Sequence, residues 1–66
     1  MDKEKPLLYG EREAARLLGL SAGTLRLYRS DGRGPAYHQL GKRILYALED
    51  LNAWVSARRV DPQRAA

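Results

Sequence analysis

Residues 21–29 read Ser-Ala-Gly-Thr-Leu-Arg-Leu-Tyr-Arg, and residues 41–43 read Gly-Lys-Arg. Both stretches set cations beside small or hydroxyl residues, which suits contact with a phosphate-bearing polymer better than bond-making chemistry. On a helix with Leu25 and Tyr28 turned inward, Ser21, Gly23, Thr24 and Arg26 form the exposed N-terminal part. Thr24 can meet a thymine methyl or donate a hydrogen bond, and Arg26 can bridge guanine O6 and N7. Backbone N–H groups near Ser21 offer a phosphate site. Arg29, three residues beyond Arg26, is expected against the nucleic-acid backbone, and Tyr28 can bury its ring while its hydroxyl reaches a phosphate. Lys42 and Arg43 stand at the tip of a narrow loop, placed for a flanking phosphate or the minor groove. Each group also has a plainer account. Arg26 and Arg29 can be a solvated helix face, and Lys42 and Arg43 can be charges that protect a sheet edge.

Enzymatic chemistry finds little to work with. No nucleophile–base pair or pair of carboxylates is legible, and a chain of 66 residues offers no deep pocket. There is no cysteine and one histidine, so a disulfide is excluded and neither a protein-bound zinc nor another cofactor is expected. His38 is expected to be a strand residue. Twelve Lys and Arg against eight Asp and Glu leave a net charge of +4, a real cationic excess that favours polyanionic partners. No apolar run approaches the roughly twenty residues of a membrane span, and no signal-peptide core follows the charged start. The expectation is a soluble, cytoplasmic protein without a membrane or small-molecule partner.

The elements that must position these residues follow from periodicity. Residues 1–7 read as a disordered lead-in, although Pro6-Leu7-Leu8-Tyr9 is extended enough to add a brief strand to a sheet edge. Gly10 is an acceptable N-cap, and Glu11 and Glu13 place negative charge where a helix dipole favours it. Ala14, Leu17 and Leu18 form an apolar stripe, and Gly19 closes the helix, so the first helix covers Glu11–Leu18. Ser21 caps a second helix over Ala22–Ser30, with Thr24 positioned to reach back. The run Asp31-Gly32-Arg33-Gly34-Pro35 ends it. Residues 36–40 and 43–46 are β-prone and flank Gly41-Lys42, the signal of a type II′ hairpin. Leu48, Leu51, Trp54, Val55 and Arg58 recur at helical spacing, predicting a third helix that ends near Val60. Tyr9, Tyr37 and Tyr46 are expected around the core with Trp54. The outline is an α+β domain, mainly α, over residues 8–60, in the order helix, helix, β-hairpin, helix. A polar tail covers residues 61–66.

The first two helices carry a sharper signal. A small residue at Ala15, a turn glycine at Gly19 and a branched apolar residue at Leu25 meet the needs of two helices crossing closely at a steep angle. That is the spacing of a helix-turn-helix, with an ordinary αα-hairpin as the alternative. With the basic hairpin added, the architecture is a winged helix-turn-helix.

At these residues the chain resembles a known group. Glu13-Ala14-Ala15-Arg16-Leu17-Leu18-Gly19-Leu20-Ser21 and Thr24-Leu25-Arg26 look like the start of the MerR-like winged helix-turn-helix superfamily. Gly34-Pro35-Ala36-Tyr37, the run from Leu40 to Tyr46, and Glu49-Asp50-Leu51 with Trp54 are similar to its small excisionase and AlpA-like branch. The resemblance implies a bacterial or phage-encoded, non-enzymatic DNA-binding protein. It would act as a recombination directionality factor that bends attachment-site DNA beside an integrase, as a transcriptional regulator, or as both. It implies base contacts from Ser21, Thr24 and Arg26, and wing contacts from Lys42 and Arg43. Gly10 stands where a hydroxyl cap is commoner, and Gly23 and Leu27 occupy positions that are often polar or basic; for Leu27 a thymine methyl is the candidate contact. One helix and one wing read few base pairs, so several copies on repeated double-stranded sites are expected, with residues 60–66 as the contact between neighbours. A protein-interaction adaptor or antirepressor is the alternative from a different class.

Overall fold

A computed structural model describes residues 7–63 of the chain. Helix α1 (Glu11–Leu18) stops at Gly19, whose φ of 75° is the left-handed closure that a side chain would oppose. The Gly19 N–H donates to the Arg16 carbonyl and that of Leu20 to the Ala15 carbonyl, so the turn follows without a break. Helix α2 (Ala22–Ser30) then starts on Ser21, whose Oγ accepts from the Thr24 N–H at 3.0 Å and donates to Thr24 Oγ1 at 2.9 Å. The expected Ser21 cap is therefore present, and the Thr24 hydroxyl reaches back to the Ser21 hydroxyl rather than to its backbone N–H.

Strands β1 (Leu8–Gly10), β2 (His38–Leu40) and β3 (Arg43–Ala47) form one antiparallel sheet in the order β1-β3-β2. The extended segment ahead of α1 is thus the edge strand that its proline and apolar residues suggested. Leu40 pairs with Arg43 across a two-residue loop. Gly41 has φ 66° and Lys42 does not have a positive φ, the combination a type II′ turn requires. Helix α3 (Leu48–Ala57) leaves β3 directly and packs against β3 and α1. The result is a mainly helical α+β winged helix-turn-helix.

Ala14, Ala15, Leu25, Tyr46 and Leu51 make the core, flanked by half-buried Tyr9, Leu18, Ala22 and Ile44. The two alanines leave room for α2 to approach α1, and Leu25 fills the crossing with no exposed surface. Five sequence expectations need correction. Leu17 is half exposed: at 100° per residue it lies well off the face shared by Ala14, Ala15 and Leu18. Val55 is also exposed, because it lies one turn beyond Leu51, the last side chain of α3 that the small core covers. Tyr37 remains exposed, its ring tilted 52° against that of Tyr46 with centres 6.0 Å apart, and Trp54 pairs with Tyr28 rather than with the other tyrosines.

Finally, α3 ends at Ala57 rather than near Val60. Arg58 leaves helical geometry, and the N–H groups of Arg58 and Arg59 take tighter bonds to the Val55 and Ser56 carbonyls. The Arg58 guanidinium lies 4.2 Å from the Trp54 ring centre and donates to the Arg33 carbonyl at 2.9 Å, which Trp54 Nε1 also reaches at 2.9 Å. This bundle ties the loop after α2 to α3. Of the lead-in expected over residues 1–7, only Leu7 is described, and its carbonyl accepts from the Leu48 N–H. Residues 64–66 of the expected tail lie outside the described residues, and with them three of the seven residues, 60–66, expected to make the contact between copies.

Candidate nucleic-acid interface

The face of α2 turned from the core carries Ser21, Gly23, Arg26 and Leu27, all exposed, with Thr24 half-buried beside them. Core packing sets this division, since Leu25 faces inward and its neighbours cannot. The helix meets α3 through a ring contact near its C-terminal end, where Tyr28 and Trp54 lie 5.8 Å apart. Its N-terminal turns stay open. Of the first N–H groups, that of Thr24 is taken by Ser21 Oγ, which leaves those of Ala22 and Gly23 without an intrahelical acceptor. Gly23 has an ordinary backbone, and an added Cβ would meet nothing closer than Ser21 Oγ at 4.0 Å. The fold itself therefore does not require glycine there.

The two arginines of α2 are not free. Arg26 donates through Nε and Nη2 to the two carboxylate oxygens of Glu11, at 3.3 and 3.0 Å. Arg29 donates through Nη1 to Glu11 Oε2 at 2.8 Å and to the buried Tyr46 hydroxyl at 3.4 Å. Its guanidinium also lies over the Tyr37 ring, 5.9 Å from the centre. The two side chains differ in access: Arg26 is 60% exposed and Arg29 only 21%. Hydrogen bonds from Arg26 and then Arg29 hold the Glu11 carboxyl below the usual carboxylate range, with both positive charges adding to them against a modest burial penalty.

Register relates this cluster to the wing. Gly10 pairs with Leu45, so Glu11 starts α1 at the same end of the sheet from which the hairpin tip projects. Arg43 lies two residues farther along β3, about 7 Å at strand spacing. Lys42 and Arg43 are exposed at that tip. The α2 cluster and the wing cations thus share one end of the molecule. An apolar groove lined by Leu7, Ala47, Leu48, Glu49 and Asn52 lies at the other end of the β1–β3 pair.

Sequence reasoning missed Glu11 as part of this site, because a first-turn acid is fully accounted for by the helix dipole. Its partners lie 15 and 18 residues away, and no local pattern marks them. The Trp54–Arg58 contact did leave a signal, an aromatic and an arginine one helical turn apart. Among the described residues, no group of His, Asp and Glu is placed to hold a metal ion, and no helix is long and apolar enough to cross a membrane.

A family model for helix-turn-helix domains matches residues 8–59. No curated protein matches the chain.

Proposed function

The chain belongs to the helix-turn-helix domain family, and on that premise we propose that it is an excisionase-type factor that binds repeated double-stranded sites in attachment-site DNA. Double-stranded DNA binding is the property the family supports. The finer reading adds bending of the site, help to an integrase in excising a mobile element, and regulation of the element's own promoters. One observation carries the DNA-binding part of this reading: the N-terminal turns of α2 are exposed beside Arg26, at the end of the sheet where Lys42 and Arg43 project.

In this reading α2 lies in the major groove. Ser21, Gly23, Thr24, Arg26 and Leu27 face the bases, Tyr28 lies toward the backbone with Arg29 held behind Arg26 on Glu11, and the wing contacts a flanking phosphate or the minor groove. The fold binds and positions DNA and makes or breaks no covalent bond. A footprint across the ends and promoters of the element that encodes the chain tests it. Protected repeats at the ends, together with integrase-dependent excision, support the excisionase role. Protection at promoters alone supports a regulator. No retarded band on either DNA at low salt supports a protein-interaction adaptor.

A further inference from the structure

We infer that Glu11 is a specificity-determining positioning residue, which grips one edge of the Arg26 guanidinium so that its other edge is presented to a guanine. The inference rests on the DNA-binding reading above and deepens it. A guanidinium has five N–H donors in a planar fork. Glu11 occupies the Nε–Nη2 edge of Arg26 through both carboxylate oxygens. The Nη1–Nη2 edge remains, two parallel donors that match guanine O6 and N7. An unbuttressed arginine with this much exposure would sample many rotamers and take whichever phosphate was nearest.

The buttress is itself braced. Arg29 holds Glu11 Oε2 at 2.8 Å and rests on the hydroxyl of Tyr46, a residue with no exposed surface, at the centre of the core. The chain Tyr46–Arg29–Glu11–Arg26 therefore runs from the core to the exposed face of α2. Arg29 serves here as the brace, which accounts for its low exposure. Glu11 also places a negative charge beside the site. It repels phosphates that would otherwise collect on the two arginines, lowering affinity for arbitrary DNA while the guanine contact is kept.

The test starts by selecting duplexes from a randomised 20-base-pair library with the full wild-type chain. Affinity is then measured for the selected duplex, for each single-base substitution of it, and for a scrambled duplex. Glu11→Gln, Arg26→Ala and the double variant are compared, with circular dichroism as the check on folding. A bidentate arginine–guanine pair discriminates by about five- to a hundredfold. Glu11→Gln is expected to lower discrimination at one guanine by at least about fivefold. It should also tighten binding to the scrambled duplex and steepen its salt slope by about one to two phosphate equivalents. In the Arg26→Ala background the same change should leave base discrimination unaltered. If Glu11→Gln does not fold, Glu11→Asp, one methylene short of spanning both arginines, is judged by the same outcomes. Unchanged discrimination, or a loss that persists without Arg26, overturns the inference while the DNA reading stands. Failure of the wild type to enrich any sequence overturns both.

Discussion

Leu25 and Leu27 lie two residues apart on the same helix, and the same truncation should affect them very differently. Leu25 has 0% exposure and fills the α1–α2 crossing, whereas Leu27 is 56% exposed. Leu25→Ala removes three buried carbons, a transfer loss of about 2.4 kcal/mol at 0.8 per carbon. Two of its core neighbours are Ala14 and Ala15, whose side chains are too short to extend into the space left. A cavity therefore persists and adds about 1 kcal/mol, for a total near 3–4. A domain of this size holds only about 3–10 kcal/mol in all. The melting temperature should fall by about 20–30 °C, or the variant should be unfolded at room temperature. Leu27→Ala should stay within about 0.5 kcal/mol of the parent. Thermal and urea unfolding followed by circular dichroism and Trp54 fluorescence would measure both. Equal losses for the two variants would refute the facing of α2, and the exposed recognition surface would go with it.

Three further outcomes follow from the same geometry. Arg26→Ala should relax base preference while Lys42→Ala weakens binding to all duplexes alike, as measured on selected and scrambled DNA; equal effects of the two would remove the division between base reading and phosphate contact. Gly23→Ala should raise stability by about 0.5–1 kcal/mol, because the site is open and its backbone ordinary, and at the same time weaken DNA binding if close approach of the helix requires the missing side chain. Acid should loosen the fold through Glu11. Its carboxyl is held below its unfolded value, so the stabilisation is complete above the ordinary glutamate pKa of about 4.3 and is lost as pH falls through the lower folded value. Melting temperature should therefore decline over that acid window, less steeply in Glu11→Gln, and identical profiles would count against the Glu11 network.

The local elements were legible in the sequence because short-range physics decides them. Gly19 closes α1 by its left-handed backbone, Ser21 caps α2 through a hydroxyl three residues from its partner, and Gly41 dictates the hairpin. Family character was legible too, since Ala15, Gly19 and Leu25 carry the crossing within eleven positions of one another. The limits of the core were not: Leu17, Val55 and Tyr37 are apolar or aromatic residues that a larger protein would cover. In a chain of 66 residues there is too little interior to hide them. Nor could the sequence show which arginine is presented and which is held. Arg26 and Arg29 look alike on a helical wheel. Only the folding of α1, α2 and β3 onto one another brings Glu11 and Tyr46 to them, and charge pairing across such separations depends on distance in space, which no periodicity encodes.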